Sequence, residues 1–475
     1  MNSDEFRKYG HEVVDWIAEY FDNIESYPVK SQVTPGYIFE QLPNHAPDKA
    51  ESMDSILEDF KKIIMPGITH WQSPNFFGYF PANNSFPSIL GEMLTSALGS
   101  QCMVWLTSPA AAELEEKVMN WLKDMLSLPG EFHGVIQDTA STATLVSLLT
   151  AREKFANYKI NSDGIDTQNY RVYCSTEAHS SIEKAVKIAG IGKNNLVKIP
   201  VDSTFSMSVD LLEEAIQKDI DNGYKPISVV AAFGSTGTTS IDPIKEIGEI
   251  CRKFNIWYHI DAAFAGSALI LQEMKHLCNG IEFADTFVFN PHKWLFTNFD
   301  CSAYFVKDKE ALIRTFEIMP EYLKTNYDNH VNNYRDWGIQ LGRRFRALKL
   351  WFVIRSYGID GLREKLREHI RLANIIKNKI ENSKDFELLA PVLFNTICFR
   401  LKPVNINDVE RLNLINEKLI ESLNNSGKVF FTHTKLNGKY TIRLVIGQTN
   451  VDEKHVLSAW EMIKEEAEII LNSEF

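Results

Sequence analysis

Six short apolar runs between residues 134 and 290 constrain the fold of this 475-residue chain more than any other feature. Helical segments separate most of them, and the runs are GVIQ (134–137), RVYC (171–174), LVKI (196–199), ISVVAAF (227–233), IWYHI (256–260) and TFVFN (286–290). Strands that are apolar on both faces belong in a mostly parallel sheet covered by helices. The pattern therefore predicts an α/β domain over residues 87–357, with a ligand site at the carboxyl ends of its strands.

The segments on either side of this domain have other patterns. Residues 1–86 contain a predicted helix over 3–25, with Ser3 as its N-cap, and end in a stretch rich in proline and asparagine. We expect this helical arm to dock on another surface. Residues 358–475 alternate helices with two strands and a hairpin at 437–438, which predicts a smaller α+β domain.

The charge balance and the cysteine pattern exclude several classes of protein. With 50 basic and 62 acidic residues the net charge is −12, which repels a phosphate backbone, so no nucleic acid partner is expected. The six cysteines include no CxxC pair and fit neither a zinc site nor a disulfide framework. The N-terminus MNSDEFRK lacks the features of a secretory signal, and no apolar run reaches the roughly 18 residues that span a bilayer. We therefore expect a soluble cytoplasmic protein with no membrane partner and no metal.

Two charged residues follow apolar strands, where burial makes a charge costly. Asp261 follows IWYHI, and Lys293 follows TFVF in the stretch FNPHKWL. The two side chains could form a structural ion pair with each other. Alternatively, both face a ligand that is positive near Asp261 and carbonyl-like near Lys293.

Pyridoxal 5′-phosphate (PLP) meets both requirements of this second interpretation. Its aldehyde forms a Schiff base with a lysine, and its ring nitrogen stays protonated beside a carboxylate, which makes the ring an electron sink. Its phosphate needs a helix N-terminus, and Thr139, Ala140 and Ser141 open a predicted helix near Thr142. The same residues are also compatible with an ordinary helix cap.

Four motifs give the chain a specific resemblance: NPHKW, HxDAAxAG upstream of it, AHSS, and HWxSPxFFxYFP near the N-terminus. Together they resemble the group II PLP-dependent decarboxylases, and most closely the aromatic-L-amino-acid decarboxylases, over nearly the whole chain. The resemblance implies the type I fold of PLP-dependent transferases. It also implies a homodimer with the active site at the subunit interface and the N-terminal arm packed on the partner.

The resemblance assigns roles to single residues. Lys293 matches the Schiff-base lysine, Asp261 the partner of the pyridine nitrogen, and His179 the histidine that stacks on the ring, although a buried structural histidine is an alternative for His179. The positions that match contacts to the phosphate or the ring are Ala140, Ser141, Thr236, Ala263, Asn290 and His292. Asp242, which precedes Pro243, is instead expected to be a helix N-cap.

A decarboxylase has to hold the substrate carboxylate perpendicular to the cofactor ring and then protonate Cα. The resemblance implies that Tyr322 delivers this proton, from a polar segment (320–338) that we expect to be a mobile lid. A solvated surface tyrosine is the alternative. Arg335 matches a position that fixes the loop or the reacting group, although a surface salt bridge is also compatible. Because His179 and Tyr322 are both present, the expected product is an amine, and a minor oxidative side reaction stays possible.

The resemblance also implies which residues line the substrate site. These are an aromatic wall and two further positions, namely Trp71, Phe77, Tyr79, Phe80, Pro81, Met103 and Gly342. The aromatic residues could instead pack the arm on its partner. Gly342 stands where relatives that act on imidazole or phenolic substrates often have serine, and it leaves volume for a larger ring. Ala82, Gln101 and Met103 replace the threonine, isoleucine and phenylalanine usual in animal enzymes, so the preferred amino acid stays open.

The sequence thus predicts decarboxylation of an aromatic L-amino acid, of the Phe, Tyr, DOPA, Trp or 5-hydroxytryptophan class, to an arylalkylamine and CO2. An aromatic aldehyde synthase and a histidine decarboxylase are alternatives with the same cofactor. A nicotinamide-dependent dehydrogenase also suits alternating α/β structure, but no GxGxxG follows the first strand. A non-catalytic protein on this fold would have no need of Lys293 and Asp261.

Overall fold

The computed structural model describes residues 1–165, 169–318 and 331–474. The chain separates into two compact units. The first comprises Met1–Pro81, Leu372–Leu389 and Ile397–Phe475, and the second comprises Ala82–Arg371 and Ala390–Thr396. The functional division into an arm, a large domain and a small domain (1–86, 87–357 and 358–475) stays a prediction.

Helices account for much of the described chain. They are α1 (Ser3–Asp22), α2 (Tyr37–Gln41), α3 (Met53–Asp59), α4 (Phe86–Leu98), α5 (Pro109–Leu126), α6 (Ala140–Phe155), α7 (Ile160–Asp163), α8 (Ser180–Ile188), α9 (Val209–Asp221), α10 (Ile244–Phe254), α11 (Pro291–Trp294), α12 (Lys309–Phe316), α13 (Arg346–Glu381), α14 (Val409–Asn425) and α15 (Glu453–Glu474). Amphipathic spacing explains the helices that pack on the sheet. In α10, for example, Ile244, Ile247 and Cys251 are buried at intervals of three and four residues.

A seven-stranded sheet organises the second unit. Its strands are β1 (His133–Gln137), β2 (Tyr170–Ser175), β3 (Leu196–Ile199), β4 (Lys225–Ala232), β5 (Trp257–Asp261), β6 (Thr286–Phe289) and β7 (Ser302–Val306). The strand order is β1-β7-β6-β5-β4-β2-β3, and the pairs from β6 to β3 are all parallel. The predicted α/β class with a mostly parallel sheet is confirmed. Every side chain of β6 is buried, as expected for a strand covered on both faces.

The strand β7 is the one element of this sheet that the sequence analysis missed. It runs antiparallel to β1 and β6 and lies between them, so it does not belong to the alternation of strand and helix. Because β7 is antiparallel to both β1 and β6, these two strands point the same way. Gln137 at the end of β1 pairs with Ser302 at the start of β7, which places both beside the carboxyl ends of the parallel strands.

Two helix starts differ from the sequence prediction by one or two residues. The N-cap of α1 is Asn2, not Ser3. The Asn2 side chain accepts the N–H groups of Asp4 and Glu5, and the Glu5 carboxylate accepts the N–H of Asn2. The helix α6 begins at Ala140 with Thr139 as its N-cap, two residues before the predicted start.

The prediction that Asp242 caps a helix is wrong. The N-cap of α10 is Pro243, and the Asp242 carboxylate points into the interior. There it accepts the backbone N–H groups of Met207 at 2.8 Å and of Ala232 at 2.7 Å. Burial raises the pKa of Asp242 to about 6, against the effect of these two bonds. Asp242 therefore anchors the loop before α9 to the end of β4.

The first unit contains a second, four-stranded sheet in the order β10-β11-β9-β8. Its strands are β8 (Phe386–Leu388), β9 (Thr396–Leu401), β10 (Thr432–Leu436) and β11 (Lys439–Val445). The predicted hairpin is confirmed: Asn437 and Gly438 join β10 to β11 with φ values of 49° and 78°. Positive φ at both positions is typical of the tight turn that this residue pair favours.

Two further features are the state of the cysteines and the hydropathy of the helices. All six cysteines are buried and carry free thiols. Among the helices of residues 1–165, 169–318 and 331–474, none is both long and apolar enough to cross a bilayer.

Candidate functional site

Asp261 and the turn that carries Lys293 lie at the same edge of the seven-stranded sheet. Asp261 ends β5, where it pairs with Ala232 of β4 and Val288 of β6. Its carboxylate accepts the N–H of Ala263 at 3.1 Å. The carbonyl of Ala263 in turn accepts the N–H of Asn290 at 3.0 Å, so the loop after β5 supports the start of α11.

The backbone of Lys293 is held from several sides. Its N–H donates to the carbonyl of Asn290 at 2.9 Å, and its own carbonyl accepts a bond from Nδ2 of Asn83 at 2.8 Å. The next residue, Trp294, is buried, stacks on Phe264 with ring centroids 5.0 Å apart, and donates to His369. The lysine backbone is therefore fixed independently of any contact that its ammonium group makes. Asn83 was missed because it lies in a loop with no motif.

His179 lies within electrostatic reach of both charges. It is the N-cap of α8, and its Nδ1 accepts the N–H of Ser181 at 3.2 Å. Because a backbone N–H can only donate, the neutral ring carries its proton on Nε2. Burial lowers the pKa of His179, the charge of Lys293 lowers it further, and the charge of Asp261 opposes both. The residue is nevertheless exposed as a whole, which does not fit a purely structural buried histidine.

The N-terminus of α6 is the predicted anion site. The Thr139 hydroxyl accepts the N–H of Thr142 at 3.4 Å, and Asp138 accepts the N–H of Thr139 at 2.6 Å. The first-turn N–H groups of a helix, here those of Ala140 and Ser141, have no acceptor within the helix itself. Ala140 is buried and Ser141 is exposed, so the turn presents small side chains toward a ligand.

Asn290 and His292 present hydrogen-bond donors beside this turn. Asn290 is buried, and its Oδ1 accepts from the Ser302 hydroxyl at 2.7 Å, so the amide N–H groups are the donors of this side chain. Nδ1 of His292 accepts the N–H of Cys301 at 2.9 Å, so the neutral ring carries its proton on Nε2. Burial lowers the pKa of His292 to about 3. A helix N-terminus, an amide and an imidazole N–H form an all-donor set, which fits a phosphate group.

The loop after β4 brings Thr236 to the same edge of the sheet as an exposed side chain. A close approach shapes this loop: a Cβ at Gly234, whose φ is +93°, would lie 2.5 Å from Cβ of Ala265. Glycine is therefore required at position 234. Ala263, the other predicted ring contact, is partly buried in the loop after β5.

Comparison with known proteins identifies the family. Residues 35–402 match the pyridoxal-dependent decarboxylase conserved domain. The chain belongs to this decarboxylase family. Its cofactor is pyridoxal phosphate, and the donor set at α6, Asn290 and His292, with Asp261 and Lys293, fits that group chemically.

Three relatives show how far the decarboxylase resembles proteins of stated activity. It is 43% identical to tyrosine decarboxylase 4 of Petroselinum crispum over 100% of this chain and 96% of the relative. It is also 43% identical to phenylacetaldehyde synthase of Arabidopsis thaliana over 99% of this chain and 98% of the relative. The structure of Oryza sativa TDC with PLP and tryptamine superposes with a TM-score of 0.96, at 35% identity and 99% coverage of both chains. The predicted PLP-dependent fold is thus confirmed.

The decarboxylase also contains a buried polar cluster behind Asp261 that the sequence analysis missed. His259, two residues before Asp261 on β5, is fully buried. Its Nε2 lies 3.2 Å from the Thr144 hydroxyl on α6, and its Nδ1 lies 2.9 Å from the Thr286 hydroxyl on β6. Thr286 also contacts the Ser147 hydroxyl at 2.7 Å. The HxD spacing in the sequence was the available signal, because residues i and i+2 of a strand face the same side.

The residues predicted to line the substrate site fall in both compact units. In the first unit Trp71 stacks on Tyr79 with centroids 5.5 Å apart, and the Arg443 guanidinium lies 4.4 Å from the Phe80 ring. Phe77 is fully buried and stacks on Phe431, and Pro81 is buried as well. These contacts show aromatic packing within that unit, and a role beside the substrate stays a prediction.

In the second unit Met103 accepts the N–H of Arg335 at 2.9 Å, and a Cβ at Gly342 would lie 3.3 Å from Nε2 of Gln101. Gln101 is held by its Oε1, which accepts the N–H of Arg343 at 2.7 Å. A larger residue at position 342 would therefore have to displace the Gln101 amide. Whether these side chains meet the substrate stays a prediction.

The structure describes residues 331–338 of the predicted lid (320–338). Tyr322 lies outside the described residues. At the other end of the segment Tyr334, Arg335, Asp336 and Trp337 are buried. Arg335 bonds to Asp336 at 3.1 Å, so the alternative of a surface salt bridge is wrong. The segment 334–337 belongs to the packed interior.

Proposed function

We propose that this decarboxylase removes CO2 from an aromatic L-amino acid and releases the corresponding arylalkylamine. The observation that carries the proposal is that Asp261, at the end of β5, and Lys293, in the turn after the neighbouring strand β6, lie at the same edge of the sheet. Full-length similarity to a tyrosine decarboxylase and to a structure solved with tryptamine supports the aromatic substrate class.

Pyridoxal phosphate supplies, when bound, the electron sink for the pair released as the bond to the carboxylate breaks. Lys293 holds the cofactor through Nζ, and its fixed backbone limits the positions this atom can reach. The Asp261 carboxylate keeps a proton on the ring nitrogen, which preserves the electron demand of the ring. His179, whose lowered pKa keeps it neutral, offers a flat imidazole without adding a positive charge.

The phosphate is bound by donors that approach it from separate elements. These are the first-turn N–H groups of α6, at Ala140 and Ser141, the Asn290 amide and Nε2 of His292. Thr236 and Ala263 contact the ring from the loops after β4 and β5. Donors fixed by other hydrogen bonds bind an anion without a reorganisation cost.

The fate of Cα decides between amine and aldehyde. We assign proton delivery at Cα to Tyr322, because the resemblance matches it to a proton donor and His179 is also present. Overall similarity does not discriminate, since the chain is equally identical, at 43%, to a tyrosine decarboxylase and to a phenylacetaldehyde synthase. An aldehyde synthase is therefore the second candidate function, and product analysis separates the two.

We further propose a cytoplasmic homodimer. The helix α1 has no buried residue, and it exposes 69% of Phe6. The helix α4 exposes a row of large apolar side chains at helical spacing: Phe86, Leu90, Met93, Leu94 and Leu98. Such rows mark protein–protein interfaces. The six buried free thiols agree with a reducing compartment.

The decisive experiment combines cofactor absorption with product analysis. We expect the purified protein with added PLP to show a visible absorption band and to release amine from at least one of Phe, Tyr, DOPA, Trp and 5-hydroxytryptophan. Lys293→Ala should lose the band and nearly all turnover, because no amine remains to bind the aldehyde. Lys253→Ala, at an exposed lysine paired with Glu213, is the control and should keep both. A colourless parent protein, or one that releases no amine from the five substrates, contradicts the proposal.

A further inference from the structure

The turn before β7 fixes the orientation of His292. Besides the bond from the Cys301 N–H to Nδ1 at 2.9 Å, the His292 N–H donates to the Cys301 carbonyl at 3.3 Å. The Phe299 ring packs against the imidazole with centroids 4.7 Å apart. Only 3% of His292 is exposed, so the ring cannot turn without breaking these contacts. The Cys301 backbone therefore determines where Nε2–H points.

A two-bond ion pair holds this turn. Nε of Arg346, at the start of α13, donates to Oδ1 of Asp300 at 2.9 Å, and Nη2 donates to Oδ2 at 3.1 Å. Only 14% of the arginine side chain and 17% of the aspartate side chain are exposed, so solvent screens the pair weakly. Two parallel bonds between a guanidinium and a carboxylate fix orientation as well as distance.

The turn held by Arg346 lies beside the N-terminus of α6. Burial lowers the pKa of Arg346, but the bond to Asp300 and the charge of that carboxylate raise it, and the charge of Asp138, one residue before the N-cap of α6, also raises it, so the pKa is raised overall. The pairing of Gln137 with Ser302 brings the two segments side by side. Arg346 therefore lies where the two donor groups of the proposed phosphate site meet.

We propose that Asp300 and Arg346 are positioning residues for the cofactor phosphate, acting through the Cys301 N–H and His292. The ion pair sets the position of the turn, the turn sets the His292 tautomer and ring plane, and Nε2–H is thereby aimed at the phosphate. The inference rests on the proposed phosphate site. Neither Asp300 nor Arg346 was singled out by the sequence analysis.

The test compares the affinity for PLP with that for pyridoxal, which lacks the phosphate. Apoprotein is prepared from the parent and from Asp300→Asn, and both dissociation constants are measured by absorbance titration. Losing one well-aimed hydrogen bond to a charged group weakens binding by about tenfold. We expect Asp300→Asn to weaken PLP binding by about this factor and to leave pyridoxal binding unchanged.

Two further variants control for folding and for loss of any ion pair. Glu273→Gln removes a similar two-bond pair with Arg367 on the same helix, at 2.7 and 3.0 Å, and should leave both affinities unchanged. Arg346→Lys keeps the charge but not the planar fork, so its preference for PLP should lie between those of the parent and Asp300→Asn. Arg346→Lys also replaces Asp300→Asn as the test if the latter does not fold.

Three outcomes overturn the inference. One is an equal loss of affinity for PLP and pyridoxal in Asp300→Asn, which would make the ion pair a general support of the fold. A second is an unchanged preference for PLP in Asp300→Asn. The third is a parent protein that binds pyridoxal as tightly as PLP, which would overturn the phosphate site itself and is distinguished from the others because it needs no substitution.

Discussion

Two histidines of the site are held in the same tautomer by backbone N–H groups. His179 accepts from Ser181 and His292 accepts from Cys301, in both cases at Nδ1. Burial lowers both pKa values, that of His292 to about 3. Both rings therefore stay neutral at neutral pH and keep Nε2–H as a donor. A cationic ring would otherwise compete with Lys293 and with the protonated ring nitrogen for Asp261.

The substitution Tyr322→Phe removes only the phenolic hydroxyl group and so tests the proposed proton donor. We expect this variant to keep the visible band of the cofactor and to form amine about a hundredfold or more slowly, because a positioned general acid contributes about 10²–10⁴-fold. The share of aldehyde, ammonia and peroxide should rise, since oxygen can react where the proton does not arrive. All four products are measured after the same incubation.

Tyr37→Phe, at an exposed tyrosine of α2, is the matched control and should behave like the parent. Amine formation by Tyr322→Phe at the parent rate would remove the proton-donor role from Tyr322.

Asp242 and Asp261 show what the sequence can and cannot predict about a single residue. Asp261 directly follows an apolar run and is correctly marked as a costly charge, whereas Asp242 was expected to cap a helix. Asp261 reaches the edge of the sheet, whereas Asp242 is satisfied inside by the N–H groups of Met207 and Ala232. Met207 is 35 residues away in the chain, and no local pattern announces that contact. The strand-end rule therefore identifies Asp261, whereas the role of Asp242 depends on tertiary contacts that the sequence does not reveal.

At the scale of elements, His259 joins three parts of the cofactor site. Its ring bridges Thr144 on α6 and Thr286 on β6, while its own strand carries Asp261. The helix α6 presents the phosphate donors, and β6 leads into Asn290 and Lys293. A small shift between these elements would change the distances among all the proposed cofactor contacts, and such misplacement can cost about 10²-fold in rate.

The bridge also predicts how stability depends on pH. Burial lowers the pKa of His259 to about 4, whereas an unfolded histidine titrates near 6.5. Between these values the unfolded chain binds the proton first, so the stability that neutral His259 contributes is complete above about pH 6.5 and is lost as the pH falls toward 4. The difference between the two pKa values corresponds to about 3 kcal/mol in the free energy of unfolding. Asp242, whose pKa is raised to about 6, has the opposite effect in an overlapping range.

Comparing His259→Gln with the parent isolates the histidine, because Asp242 is unchanged in both. Urea unfolding is followed at several values between pH 4 and 8, and the parent should lose about 3 kcal/mol more than the variant across this range. His276→Gln, at an exposed histidine, should follow the parent. Parallel curves for His259→Gln and the parent would contradict a neutral, buried role for this ring.

The elements that the sequence predicted well are those with strong periodicity and local turn signals. The six strands predicted between residues 134 and 290 and the hairpin at Asn437 and Gly438 are of this kind. The strand β7 was missed because its run SAYFV is short and only the four-residue helix α11 separates it from β6. Ser302 lies on this strand, and Asp300 lies in the turn before it. The residues that are proposed to position the phosphate donors therefore could not be predicted either.

At the scale of the whole molecule, the helices α1 and α4 expose apolar side chains that the proposed dimer would cover. The helix α1 exposes most of its surface over 20 residues, yet it is amphipathic and well capped. Its contacts within the chain, such as Trp16 with Phe60 and Tyr20 with His70, leave most of the helix exposed. In the other unit α4 exposes 47% of Leu94 and 61% of Leu98. Burying both surfaces against a second copy would account for each helix.

The dimer is tested by placing two charges on α4. The parent, with a chain mass of 54.3 kDa, should sediment at about twice that mass. We expect Leu94→Asp combined with Leu98→Asp to sediment as a monomer with native far-ultraviolet circular dichroism, since charges are depleted at interface cores. Amine formation should fall with the dimer, because the family resemblance implies an active site at the subunit interface. Ile469→Asp on α15, where 61% of the isoleucine is exposed, is the control and should remain dimeric and active. A parent protein that is monomeric at assay concentration and fully active would show that one chain completes the site.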